Sequence, residues 1–470
     1  MKKLIYILLA VALFSQSACK KELNALPQNA EVEGNAIVDE PSANVALNGV
    51  YYCFANANNT STNWNNNKIM GSLFAGYIGS GNGATVDESD IFGNSIFSSS
   101  EWARYYVLIN AANGVNQAVQ ALADNKFANG RKTQILAEAR FLRAFGHFKL
   151  LSYFGQWFDV TSPYGIIIES QFNTLSNINQ PRSTVKDCYT FILNDLDYAI
   201  ANAADTSSNI YVNKWTAMAF KMRVLLCRNQ SGDLAEAITL ANTIISGSPY
   251  TLEPNEKDIF YTKGLSSNEV MLGIQPQANQ YLYYSNSSLE FIGASSFYEA
   301  KPTLDSLLKT DPRHSWVIGQ PDTNNVGSYY FIKYIQPAKV STQLSEVAYA
   351  FRLSEVYLML AEATVRSGGS LSAAKTTLET VMSKAGVTDF SAVNAATTAD
   401  ELSAQIYYEY ARNFVGEDGI EWMALLRLPP AMVTQIRPTI TTTVQYILPI
   451  PHAEFVSNPN IGAQNPGYSK

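Results

Sequence analysis

The run Ala137-Glu138-Ala139-Arg140-Phe141-Leu142-Arg143-Ala144-Phe145-Gly146-His147-Phe148-Lys149-Leu150-Leu151 decides the fold class. Ala137, Phe141, Ala144, Phe148 and Leu151 recur at i, i+4, i+7, i+11 and i+14, and Leu142 and Phe145 widen that face. This is the period of a helix with one apolar side. The spacing predicts an amphipathic helix over 133–153.

The same spacing recurs on both sides. Trp102, Tyr105, Tyr106, Ile109 and Val115 predict a helix over 101–122. Thr184 is placed to cap a helix that carries Val185, Tyr189, Ile192, Leu196 and Ala199. Trp215, Met218, Ala219, Met222, Leu225 and Leu226 predict another, and 233–246 a partner for it across Ser231-Gly232. A short break of this kind joins the arms of a helical hairpin. Helical order returns over 345–366, 370–385 and 399–414. Between these blocks, over 250–345, the periodicity weakens and Tyr, Ser, Asn, Gly and Pro rise. That stretch reads as irregular loops with a few short strands, at Val270-Met271-Leu272 and from Tyr329 to Ile335. Residues 56–67 hold seven Asn around Trp64 and read as loop. The tail from Pro429 reads as extended. Paired helices with short breaks suggest a TPR-like arrangement, without the strict 34-residue signature.

The N-terminus speaks to compartment. Lys2 and Lys3 precede an apolar run, Leu4 to Phe14, too short to span a bilayer. Ala18-Cys19 then fits lipoprotein processing, with cleavage after residue 18 and lipid on Cys19. Residues 19–40 read as a lipidated Cys and flexible tether, and 41–470 as one domain with a loop-rich insert at about 250–345. An ordinary signal that leaves Cys19 as a free thiol is the competing reading. Cys53, Cys188 and Cys227 remain, so at most one disulfide can form. Cys188 and Cys227 lie in apolar helical patterns and read as small buried hydrophobes.

Composition narrows the function. Hydrophobic residues make up 47% of the 470 and charged residues 16%, which excludes a disordered chain and argues against a coiled coil. A net charge of −7 without a basic tract is the wrong balance for phosphate neutralisation. Three His make a His-rich metal site improbable. No HExxH, Walker or GxSxG motif occurs in its proper context. Asp87, Glu88 and Asp90 lack EF-hand spacing and read as a solvated acidic loop, so neither a cofactor nor calcium is expected.

Four segments in order resemble the SusD/RagB family of outer-membrane nutrient-binding lipoproteins. They are Ala137 to Ala144 running on to Tyr153-Phe154-Gly155; Pro181-Arg182-Ser183-Thr184 with Ile192 to Asp197; Arg352-Leu353-Ser354-Glu355-Val356-Tyr357-Leu358 through Ala361-Glu362-Ala363; and Leu448 to Pro451 with Asn458-Pro459 and Gln464 to Tyr468. The late helix departs from the family pattern: Tyr410 and Glu421 stand where Arg is usual, and Asp418 looks inserted. The resemblance implies a mainly α, TPR-like, SusD-like fold. It also implies a non-catalytic surface receptor for oligosaccharides, lying as a lid over a SusC-like TonB-dependent transporter.

The shared charges Arg140, Arg143, Glu355 and Glu362 read as interhelical ion pairs. Binding is expected on aromatic loops instead, because a sugar ring offers an apolar C–H face and a rim of hydroxyls. The candidates are Trp64, Tyr77, Tyr281, Tyr283, Tyr284, Trp316, Tyr329 and Tyr330; ordinary partial burial competes for each taken singly. Trp102 and Trp215 fit core spacing. Peptide capture and a surface glycoside hydrolase with two carboxylates remain alternatives.

Overall fold

The computed structural model describes residues 36–55, 64–80, 96–274, 298–319, 329–334 and 347–469. In chain order the elements are α1 (Glu40–Ala55), α2 (Trp64–Ala75), β1 (Ile78–Ser80), α3 (Ile96–Ala121), α4 (Arg131–Phe154), α5 (Val185–Asn202), α6 (Lys214–Arg228) and α7 (Asp233–Gly247). Then follow β2 (Val270–Ile274), β3 (Tyr298–Ala300), α8 (Pro302–Leu308), α9 (His314–Val317), β4 (Ile318–Gly319), β5 (Tyr330–Phe331) and β6 (Ala348–Arg352). The chain closes with α10 (Leu353–Arg366), α11 (Leu371–Lys384), α12 (Ser391–Ala395), α13 (Ala399–Phe414), α14 (Ile420–Leu426), α15 (Pro430–Ile436) and α16 (His452–Ser457). Helices dominate and the strands are few and short, so the fold is mainly α. Consecutive helices pack in pairs, α3 on α4, α6 on α7 and α10 on α11, which is the TPR-like arrangement.

Helix α4 is the hub. It packs against α1, α3 and α5. From Ile135 to Phe154 every residue but Arg140 is buried, including Glu138, Arg143, His147 and Lys149. It is therefore covered on all sides, where its period predicted one wet face. A helix surrounded by others must satisfy its charges internally. Arg143 donates two bonds to Asp195 on α5, each at 2.8 Å. Lys149 reaches Asp418 at 2.7 Å. Arg140 instead lies over the Tyr198 ring, its guanidinium carbon 3.9 Å from the centroid.

The caps follow the sequence. The Thr184 side chain accepts from Asp187 N, and Asn213 and Thr398 form capping boxes at α6 and α13. Several expectations change. Helix α1 begins at Glu40, where Asp39 and Ser42 exchange side-chain and backbone bonds at its start. The Asn-rich stretch becomes helical from Trp64 onward, because Ile69, Met70, Leu73 and Phe74 bury one side of it. The stretch from 345 opens as strand β6, paired antiparallel with β2, before α10 starts. The tail is not simply extended, since α15 and α16 interrupt it.

A second layer of buried charge joins the C-terminal half to α4 and α6. Arg223 on α6 holds Glu355 through two bonds at 2.8 and 2.7 Å and Asp418 at 2.9 Å. Arg352 binds Glu417 and Glu269, each at 2.7 Å, and Lys333 meets Glu417 at 2.5 Å. Glu362 receives Arg427 at 2.7 Å and Arg366 at 2.6 Å. Asp418 has φ +49°, so a non-glycine residue takes the left-handed turn that aims its carboxylate at Lys149 and Arg223. Glycines let α2 approach that turn: a Cβ on Gly71 would lie 2.3 Å from the Gly419 Cα.

Buried apolar side chains from Ala43 to Ile461 form one continuous cluster. Cys188 and Cys227 sit in it, and Cys53, Cys188 and Cys227 are all free thiols. Burial pushes the Cys188 thiol up to about 12, which leaves it unreactive.

Candidate functional site

Two tyrosines that keep accessible surface, Tyr329 and Tyr330, lie at a small antiparallel sheet with strand order β1-β3-β5-β4. Its register sorts the two faces. Gly79 pairs with Glu299, Glu299 with Tyr330, and Tyr330 with Gly319, so these four form one row across the sheet. The neighbouring residues Ile78, Ala300, Phe331 and Ile318 are buried and face the core. Alternation along a strand then sends the Glu299 and Tyr330 side chains to the opposite face.

On that outer face Glu299 is exposed and Tyr330 is half-buried. Lys301, two residues beyond Glu299, sends its ammonium to within 3.6 Å of the carboxylate. It crosses Gly79 to do so: a Cβ there would lie 2.4 Å from Lys301 Cε. At the other end of the row the Ile332 side chain lies over Gly319, where a Cβ would come within 2.6 Å of its Cδ1. Tyr329, at the head of β5, is 54% exposed, and its carbonyl accepts from Ala300 N at 3.0 Å. The chain departs from this sheet at Ser80 and Gly319 and re-enters it at Tyr298 and Tyr329. Flat rings beside a carboxylate and an ammonium can stack on apolar C–H faces and hydrogen-bond to hydroxyls.

The eight aromatic candidates divide three ways. Tyr329 and Tyr330 are consecutive residues at the head of β5, the first exposed and the second half-buried. Tyr281, Tyr283 and Tyr284 lie outside the described residues. Trp64, Tyr77 and Trp316 are corrected to core positions, exposed by only 1%, 5% and 5%. Trp64 heads α2, donates to the Phe54 carbonyl and packs edge-on against Phe54. The Tyr77 hydroxyl meets that of Tyr407 at 2.8 Å, and burial raises its pKa above the ordinary tyrosine value. Trp316 stacks on Phe260, with centroids 5.7 Å apart. All three are packed into the core and keep almost no exposed surface. Trp102 and Trp215 are buried as their spacing predicted.

Glu299 and Lys301 were missed. The only signal for them was the alternation Tyr298-Glu299-Ala300-Lys301, too short to separate from loop. Asp87, Glu88, Asp90 and Cys19 lie outside the described residues. Among the described residues no cluster of three or more His, Cys, Asp or Glu could hold a metal ion, and no helix is long and apolar enough to cross a membrane.

Paired helices around a buried ionic core, with a short four-stranded sheet, define the TPR-like class of helical-hairpin proteins. The comparisons give the family. Residues 21–226 match a model described as starch-binding, associating with outer membrane, and residues 308–431 match the SusD family model. The chain belongs to the SusD/RagB family. It is 29% identical over 185 residues to a SusD-like protein of Bacteroides ovatus, which is 38% of this chain and 32% of that protein. A SusD-like protein of Formosa agariphila is 24% identical over 176 residues, or 36% and 32% of the two chains. The matched stretch thus spans about a third of the length of these curated relatives. Solved structures agree in fold. A SusD superfamily protein from Bacteroides thetaiotaomicron has a TM-score of 0.74 at 22% identity, over 91% of this chain and 99% of that one. A laminarin-binding SusD-like protein gives 0.70 at 21% identity, over 92% and 100%.

Proposed function

We propose that the protein is a cell-surface receptor that binds oligosaccharides and delivers them, uncleaved, to a SusC-like TonB-dependent transporter in the outer membrane. The observation that carries this reading is the outer row of the small sheet. There Tyr330 pairs across the strands with Glu299, whose carboxylate the Lys301 ammonium approaches over Gly79, and the exposed Tyr329 adjoins at the head of β5. Family membership supports the glycan class, as does the laminarin-binding relative of the same fold. A shallow, partly wet site of this kind gives modest affinity, which suits a receptor that must release its cargo.

The anchor belongs to the same proposal. Residues 1–18 are the signal, Cys19 carries the lipid, and a short tether leads to α1. No cofactor is needed for capture by stacking and hydrogen bonding.

Calorimetric titration of residues 20–470 against a panel of polysaccharides, their oligosaccharides and mixed peptides tests the reading. Saturable binding of a glycan, with the glycan recovered intact, is the expected result. Binding of peptides alone, or breakdown of a panel member, would overturn it.

A further inference from the structure

The arm that runs from α8 to β4 is pinned at one residue. Arg313, just before α9, is wholly buried, and three carboxylates crowd its guanidinium. Asp311, two residues earlier, accepts from Nε and Nη2 at 2.8 Å each. Glu409 on α13 accepts from Nη1 and Nη2 at 2.6 and 2.9 Å. Glu256, in the connection after α7, comes third. Its Oε2 accepts from Nη1 only at 3.4 Å, and its Oε1, also buried, has no hydrogen-bond partner.

The charges in this cluster do not balance. Arg412 on α13 stands at the rim, 3.8 Å from both Asp311 and Glu409. Two cations therefore face three carboxylates. The neighbouring cations bring no relief, because Arg352 on β6 and Lys333 beyond β5 are matched by Glu417 and Glu269. An uncompensated negative charge inside a packed core is costly, and a carboxylate so placed takes up a proton instead. Among the three, Glu256 is the one to take it. Asp311 and Glu409 each grip the guanidinium with both oxygens, whereas Glu256 touches it with one, beyond the usual hydrogen-bond length.

We propose that one proton, seated on Glu256, completes the charge balance around Arg313 and pins the arm that carries β4, and that its release to water as pH rises past neutral loosens that arm.

The consequence reaches the small sheet. Val317 N donates to the Arg313 carbonyl at 2.9 Å, and the Val317 carbonyl accepts from Ile332 N at 2.8 Å. Ile318 and Gly319 of β4 then pair with Phe331 and Tyr330 of β5. The chain beyond Glu256 packs on the same arm: Phe260 stacks on Trp316, and the Tyr261 hydroxyl donates to the Trp316 carbonyl at 3.0 Å. Two segments that meet at Glu256 and Arg313 thus buttress one edge of the sheet. An ionised Glu256 competes with Glu409 for Nη1 and weakens the junction between them.

The surrounding groups set the range. Burial raises the Glu256 carboxyl to about 7, against the pull of Arg313, Arg352 and Lys333, and Glu409 adds to the rise. Burial acts on Asp311 as well, but its bonds from Arg313 hold that carboxyl below the ordinary aspartate value. His314, next along the arm, spends its Nε2 on Asp305 of α8 at 2.8 Å. The folded pKa of Glu256 exceeds its ordinary value of 4.5. Its contribution is therefore complete below about 4.5 and is lost as pH rises through about 7.

Hydrogen exchange of the 309–319 peptide, read by mass spectrometry from about pH 5 to 9 and corrected for intrinsic rates, tests the anchor. The opening equilibrium of the wild type should rise roughly tenfold per pH unit between about 5 and 7, then level off. Glu256→Gln, neutral at every pH, should flatten that rise, and His314→Gln should leave it as in the wild type. A second readout needs no opening of the arm. The infrared difference spectrum of wild type against Glu256→Gln should show a protonated carboxyl band at about pH 6 that is gone by about pH 9. A flat wild-type profile would overturn the proposal, as would a rise kept in Glu256→Gln, a rise abolished in His314→Gln, or the absence of that band.

Discussion

At the scale of single residues, buried charge carries the largest stakes. Arg223 joins α6, α10 and the Asp418 turn through carboxylates that are almost wholly buried. Removing one partner strands the others in a medium that cannot solvate them. Arg223→Met should cost about 3–5 kcal/mol in denaturant unfolding, although methionine fills much of the space. Glu421 stands where the family usually has Arg. Its carboxyl is fully buried, one oxygen bonded by Ser72 and the other without a partner. Burial pushes it up to about 8, against the lowering effect of the Ser72 hydroxyl. The folded pKa exceeds the unfolded one, so the neutral form is preferred in the fold. The contribution of this group is complete below about 4.5 and is lost as pH rises through about 8. Stability measured at pH 5, 7 and 9 should therefore fall less steeply in Glu421→Gln than in the wild type.

At the scale of elements, close approach and short strands decide the outcome. Helix α2 meets the turn before α14 with no room for a methyl group, as the 2.3 Å distance at Gly71 shows. Gly71→Ala should destabilise by about 1–3 kcal/mol, seen as a lowered Tm with helix content kept below the transition. The small sheet governs the proposed binding. Tyr330→Ala should weaken glycan affinity by about 1 kcal/mol, roughly fivefold, in the calorimetric titration. Trp316→Phe should leave affinity unchanged and lower stability instead, because that ring faces Phe260. The opposite pattern would move the site into the core and refute the assignment. Among elements, most of the long helices were legible because their period survives over about four turns or more, but α1 was not read. The strands were legible in part: β2 and β5 fall within the stretches read as short strands, whereas β3 and β4 span two or three residues each, below the length at which alternation can be read.

At the scale of the whole molecule, the tail closes the fold. Gln464 exchanges two 2.8 Å bonds with the Ile450 backbone, and Asn465 donates to the carbonyls of Phe154 and Leu448 at 2.8 and 2.9 Å. Asn465→Ala should cost about 2 kcal/mol, since two buried carbonyls lose their donor. Equilibrium unfolding would show it as a shift in midpoint without a change in slope. The Asn-Pro and Asn-Pro-Gly turns that lay the tail down could be read in the sequence, but their partners, Gln180 in the connection after α4 and Phe154 at its end, could not.

By itself the sequence determined most of the helical scaffold, the Thr184 cap and the order of family motifs, because these depend on neighbours within a few residues. It also determined that Arg143, Glu355 and Glu362 must be paired, since charge on an apolar helix has no other recourse. It did not determine with which residue. Asp195 lies 52 positions from Arg143, and Arg223 lies 132 from Glu355. Nor did it separate Trp64, Tyr77 and Trp316 from Tyr329 and Tyr330. An aromatic ring has the same local signature whether it fills a core or faces water, and only tertiary packing decides which faces are covered. The row of Glu299 and Tyr330 exists only because strands 31 residues apart pair in register.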